Sequence, residues 1–210
     1  GEAIAWHIAV LVIRWLSAVV IWSIFKRLWP NAGWQNLTAA IIFAIYPFFT
    51  LQPLAATFIH HWTGYLLFGL SILFMLQALR GRFWLNTTLS IITQVFHLFT
   101  LEFYAGLELL RPILIWIVLS TISQDTQKVK IKNSLRKWLP YLVVLILYFI
   151  WRGFLYQAPD GVRNAPVGLT ALLGAPFSTL KLIAFDAIPD LVLILVSSWY
   201  KILEPETLNF

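Results

Sequence analysis

The stretch Thr100-Leu-Glu-Phe-Tyr-Ala-Gly-Leu-Glu-Leu-Leu-Arg-Pro112 decides how the rest of the chain is read. It carries Glu102 between two apolar runs, about Phe83–Leu101 and about Leu107–Ile122, and Glu108 and Arg111 at the head of the second; the runs otherwise hold almost no charge. Ionisable groups at membrane depth are expensive and are candidate functional groups by default. The first question is therefore whether a bilayer is the solvent.

Composition answers it. Of 210 residues, 60% are hydrophobic and 11% charged, against about 25% charged in a soluble domain. So much apolar surface does not fit inside one water-soluble core. The apolar runs are continuous rather than alternating, which excludes the strands of a membrane β-barrel. The expected fold is an all-α polytopic transmembrane helical bundle, one transmembrane domain over residues 1–210, in contact with the lipid bilayer. The formal charge of +6 does not imply nucleic-acid binding, because the basic residues fall between apolar runs. The chain has no cysteine, which removes thiol nucleophiles and cysteine-based metal sites.

A spanning helix needs about 20 mostly apolar residues. Successive runs lie at about Ala5–Phe25, Leu37–Ala56, Tyr65–Leu79, Phe83–Leu101 and Leu107–Ile122, with Pro47 and Pro53 inside the second. A polar segment, Gln124–Lys137, precedes a run from Trp138 to Ile150, which is short unless Trp151 and Phe154–Tyr156 extend it. Beyond a loop from Arg152 to Pro166, Val167–Leu203 has room for one interfacial helix and one span, with Gly174-Ala-Pro176 as the break and Asp186 and Asp190 in a first helical turn. The count is about seven spans. Glu2 leads into the first run without a basic n-region, so this is not the pattern of a signal peptide. It reads as a piece of a longer chain.

Charge sets the expected sidedness. Lys26, Arg27, Arg80, Arg82, Lys128, Lys130, Lys132, Arg136 and Lys137 fall in the odd connections, nine in all, while the intervening ones hold only Arg111, Arg152 and Arg163. The bias makes the odd connections cytoplasmic. His60-His61, taken as part of a short loop from Thr57 to Gly64, then shares the opposite face with Glu102, Glu108, Arg152 and Arg163.

The order of these features resembles the GT-C superfamily of integral-membrane glycosyltransferases, in the branch of protein O-mannosyltransferase-like enzymes. Ala39-Ala-Ile-Ile-Phe-Ala-Ile-Tyr-Pro47, a short outer loop and a run beginning Tyr65-Leu-Leu-Phe68 are similar to that family's span, loop and span. Thr100-Leu-Glu102 stands where relatives have a Ser-Lys-Glu-like turn, with Leu101 in place of the Lys. Trp138-Leu-Pro140-Tyr, running on to Arg152, is similar to the family's later Leu-Pro span ending in Arg. His60-His61-Trp62 replaces a basic residue common after the short loop. The family's main catalytic acid lies in an outer loop that would precede residue 1.

The resemblance implies transfer of a sugar from a polyprenyl-phosphate donor to an acceptor on the non-cytoplasmic face of a bacterial inner membrane. A carboxylate takes the acceptor's proton while basic groups hold the lipid phosphate. Glu102 is then the catalytic candidate, orienting the acceptor or helping to bind a divalent metal. His60, His61, Glu108, Arg111, Arg152 and Arg163 are candidates for the wall that binds the substrate.

Plainer readings stand beside these. Glu108 and Arg111 are spaced i, i+3 and can form a local ion pair at the head of the fifth span. The spacing of Glu102 and Glu108 puts them on one face only if Gly106 breaks the helix. His60 and His61 diverge by about 100° on a helix, which suits an interfacial pair beside Trp62 better than a metal site. His97 reads as a hydrogen-bonded residue between helices. The rival function is non-enzymatic, a transporter, flippase or membrane scaffold component whose path is lined by Asn86, Gln94 and His97 on the polar fourth run.

Overall fold

From Glu2 to Leu28 the sequence has neither Gly nor Pro, and it forms one helix, α1, over that whole length. At 1.5 Å per residue it is about 40 Å long, enough to cross a hydrocarbon core of about 30 Å. Lys26 and Arg27 occupy its last turn, where cations complement the carbonyl end of the helix. The computed structural model describes residues 2–45, 55–156 and 174–192; the side chains of some of these, Glu102 and Asp186 among them, lie outside the description.

After α1 come α2 (Gly33–Ile45), α3 (Ala55–Ala78) and α4 (Phe83–Thr100), then a 3₁₀ segment, Glu102–Leu110, that leads into α5 (Arg111–Ile122). Next are α6 (Gln127–Ile150), prolonged by a π-helical turn at Trp151–Leu155, and α7 (Pro176–Val192). Among the described residues there is no strand. The chain divides into two compact units, Gly1–Tyr46 with Leu51–Arg152, and Pro47–Thr50 with Gly153–Phe210. Of the second, the structure describes α7 and the end of the π turn.

In the first unit α3 packs against both α1 and α4, and α6 against α4 and α5. Val20, Ile24, Ile72, Met75, Leu76, Ile115 and Tyr141 build the main apolar core. Small residues let the backbones close up. A Cβ added at Gly69 would stand 3.0 Å from Val20 Cγ1, where α3 crosses α1.

The distribution of polarity is inverted relative to a water-soluble bundle. Leu11 is 66% exposed and Phe96 61%, whereas Glu108, Arg111, His97 and Gln94 are each at 0%. Such a surface suits a hydrocarbon solvent, and a core of this kind supplies hydrogen bonds between helices. Four segments, Ile4–Leu28, Ala56–Ala78, Tyr104–Ile122 and Gln127–Leu155, are long and apolar enough to cross a membrane, and Gly33–Ile45 is a shorter apolar helix. This is compatible with an integral membrane protein. α4 has 18 residues, but Thr, Gln and His dilute its apolarity.

Three expectations are corrected. Residues Thr57–Gly64 are not a loop: α3 starts at Ala55 and carries His60, His61 and Trp62 on its first turns. No Pro interrupts the stretch, Trp62 is buried, and Thr63 bonds back to the Ile59 carbonyl at 3.0 Å. The basic residues from Lys128 to Lys137 are not in a connection but on α6 itself, which the π turn then lengthens. Asp186, Pro189 and Asp190 lie toward the end of α7 and not in a first turn; the helix begins at Pro176, whose fixed φ suits that position. Pro47, Pro53, Asp160 and Arg163 lie outside the described residues.

Candidate functional site

Thr87, Ser90, Gln94 and His97 recur at three- and four-residue spacing on α4, so they share one face, and all four are buried. α4 stops at Leu101, whose backbone is extended (φ −151°, ψ 114°) while its N–H still donates to the His97 carbonyl at 2.9 Å. The next turn does not resume as α-helix. Residues Glu102–Leu110 wind as 3₁₀, in which side chains three apart eclipse one another. Glu108 therefore lies directly beneath Arg111, the first residue of α5.

The two form a two-point ion pair. Arg111 Nη2 donates to Glu108 Oε1 at 2.8 Å, and Arg111 Nε donates to Oε2. Gln94 Nε2 donates to the same Oε2 at 2.6 Å and to the Tyr141 carbonyl on α6 at 3.0 Å. His97 Nε2 is 2.9 Å from Oε1. Arg111 Nη2 also donates to Ser71 Oγ on α3 at 2.8 Å, and its guanidinium lies 4.8 Å from the centre of the Tyr141 ring. Ser71 and Ser90 each donate to the other's carbonyl at 2.6 Å. The carboxylate thus joins α4 to α5, and its partners Arg111 and Gln94 extend the network to α3 and α6. The network has no exposed face, so it is a structural clamp in this conformation and presents nothing to a substrate.

The two ends of the unit differ. At one, Arg80 Nη2 donates to the Arg27 carbonyl at 2.7 Å, and the Lys137 ammonium lies 5.6 Å over the Phe83 ring. Basic residues expected in separate odd connections therefore gather there. At the other, the Tyr104 hydroxyl donates to the His61 carbonyl at 3.1 Å, and its ring packs over Gly64, where a Cβ would stand 3.2 Å from it. The rings of His60 and His61 lie tilted against each other at 41°, with centres 4.3 Å apart. Phe99 meets Trp151 at 4.7 Å, which places Arg152 at this same end.

Of the residues expected to form the site, His60, His61, Arg152 and the backbone of Glu102 share the end remote from the basic cluster. Glu108 and Arg111 are withdrawn into the bundle. The Glu102 side chain and Arg163 lie outside the described residues. Among the described residues, no three His, Asp or Glu side chains converge as a metal would require. The sequence does not mark Gln94 as a partner of Glu108, nor Ser71, Ser90 and Tyr141 as members of the network around it. The buried stripe on α4 was the available signal for two of them, and nothing local marks Ser71 or Tyr141. No family model, no curated protein and no solved structure matches the chain.

Proposed function

We propose that this chain is the membrane portion of a GT-C-like glycosyltransferase. It moves a sugar from a polyprenyl-phosphate donor to an acceptor at the non-cytoplasmic face, the end carrying His60, His61, Glu102 and Arg152. The observation behind this reading is the segregation of the two ends: Arg27, Arg80, Arg82 and Lys137 lie at one, and the histidines lie beside the Leu101 turn at the other.

In the proposed reaction the acceptor oxygen attacks the anomeric carbon, the bond from that carbon to the carrier phosphate breaks, and the phosphate leaves with the electron pair. Glu102 takes the proton of the acceptor hydroxyl, and Arg152 steadies the charge gathering on the phosphate. Arg suits that task because its guanidinium engages two oxygens at once. The clamp around Glu108 holds the far end of the 3₁₀ segment that begins at Glu102.

A transporter lined by α4 has less support. Ser90, Gln94 and His97 on that helix are already engaged by Ser71, Glu108 and the Tyr141 carbonyl.

The test uses the complete natural protein in proteoliposomes, with a panel of polyprenyl-phosphate-linked sugars. Glu102→Gln should lower kcat by about 10²-fold or more while the protein stays folded. Unchanged transfer by Glu102→Gln removes it from the reaction. No transfer from any donor, with solute uptake by sealed vesicles, replaces the enzyme with a transporter.

A further inference from the structure

A cleft of about 750 Å³ opens between the C-terminal end of α1 and the α3–α4 turn, lined among others by Trp22, Lys26, Arg27, Arg80, Arg82 and Leu85. We propose that it binds the phosphate headgroup of an anionic phospholipid, with the four basic side chains as its ligands. The proposal rests on the membrane reading and not on sugar transfer.

Four cations converge here from two parts of the chain that are far apart in sequence. Among the described residues both ion pairs belong to Glu108 in the bundle interior, so no described carboxylate forms an ion pair with any of the four. Like charges brought together cost free energy unless an anion offsets them.

Three of the cations are also held in place. Arg80 is tied to the Arg27 carbonyl at 2.7 Å, Arg27 Nη1 donates to the Ser23 carbonyl at 3.0 Å, and the Lys26 ammonium lies 5.2 Å over the Trp22 ring. Side chains fixed before binding lose less freedom when a ligand arrives.

The turn that presents Arg80 and Arg82 is strained. Arg82 has φ 46° and ψ 50°, the left-handed conformation, and among the described residues it is the only non-glycine with positive φ. Such backbone is unfavourable for a residue with a Cβ and persists where its surroundings hold it. Here Asn86 Nδ2 donates to the Gly81 carbonyl at 3.0 Å and braces the turn.

The neighbourhood selects a lipid. Leu85 lines the cleft and is 53% exposed, and the adjacent Trp84 is 80% exposed. A ligand with a phosphate and apolar tails satisfies both surfaces at once. Residues that serve only to set topology would need no such cleft.

The experiment is native mass spectrometry of the complete protein in neutral detergent, titrated with phosphatidylglycerol or phosphatidylcholine. Phosphatidylglycerol should bind saturably and more tightly. Arg80→Gln/Arg82→Gln should weaken it by about thirtyfold, since each basic contact to an anionic lipid contributes about fivefold. Lys128→Gln/Lys132→Gln removes the same charge from exposed positions on α6 and should leave it unchanged. Lys26→Gln, which touches only the Trp22 ring among the described contacts, should weaken it by about fivefold and covers failure of the double variant to fold. Equal losses in the two double variants mean diffuse attraction and overturn the site, as does equal affinity for the two lipids. Displacement by inorganic phosphate or glycerol phosphate at matched concentration makes the ligand a soluble phosphate and overturns the lipid.

Discussion

Removing the Glu108 carboxylate should destabilise the bundle more than any loss of a neutral polar contact. In Glu108→Ala, Arg111 loses both of its bonds to the carboxylate and keeps Ser71 Oγ and the Tyr141 ring face. His97 Nε2 loses its partner at 2.9 Å, while Gln94 keeps the Tyr141 carbonyl. Because both ionic side chains are at 0% exposure, the guanidinium left behind is a buried and largely uncompensated charge. Breaking a pair of this kind costs about 3–5 kcal/mol, which is a factor of about 10²–10³ or more in the folding equilibrium.

Arg111→Met should fall at the lower end of that range, since Glu108 retains donors from Gln94 and His97. By contrast a single neutral bond between helices in a membrane averages about 0.6 kcal/mol. Glu108→Leu/Arg111→Met removes both charges and keeps the volume, so it should be less costly than Glu108→Ala alone. The assay is reversible unfolding in mixed micelles by sodium dodecyl sulfate titration, followed by far-ultraviolet circular dichroism. A cost below about 1 kcal/mol for Glu108→Ala, or strictly additive effects in the double variant, would refute the buried clamp.

Three further outcomes follow from contacts elsewhere. Gly69→Ala should destabilise the α1–α3 crossing by about 1–3 kcal/mol, because its methyl meets Val20 Cγ1 at 3.0 Å; Val20→Ala in the same chain should recover most of the loss in the same titration. Gly64→Val should force the Tyr104 ring off α3, lowering the thermal midpoint, since even a Cβ there stands 3.2 Å from that ring and 3.3 Å from Leu101 Cδ1. The chain lacks cysteine, so single cysteines at Lys132 and Asp160 can report sidedness; they should react with an impermeant maleimide from opposite sides of sealed vesicles, and labelling from one side would abolish the assigned topology.

How far the sequence could be read depends on the kind of signal each residue carries. The i, i+3 spacing of Glu108 and Arg111 and the stripe from Thr87 to His97 are local patterns, and both survive in the structure. The partners from α3 and α6 are not local. Ser71 is an ordinary serine on a spanning helix, and Tyr141 contributes a carbonyl that every residue possesses. The beginning of α3 is hidden in the sequence because histidines and a tryptophan near a membrane face resemble loop residues; burial of Trp62 and the Tyr104 bond to His61 keep them helical. The helical start of α6 is hidden in the sequence because a charged segment between apolar runs has the composition of a connection. Lysines are good helix formers, and their exposed face needs only water.

The clamp also explains where in this protein chemistry can take place. In lipid, apolar contact alone gives helices little reason to associate in one register, and interhelical hydrogen bonds between buried polar groups supply it. Glu108 with its partners Gln94 and Arg111 does this for four helices at once, shortly after the chain has left α4 through the extended backbone of Leu101. A carboxylate so fully engaged has no oxygen to offer a substrate, so Glu108 and Arg111 fix the frame, and the proposed ligand chemistry is confined to the two ends. Glu102 lies only a few residues up the same 3₁₀ segment. Any variant that loosens Glu108 should therefore disturb the Leu101 turn and the His61–Tyr104 contact first, and leave the basic cleft at the opposite end, held by its own bonds among Ser23, Arg27 and Arg80, as it was.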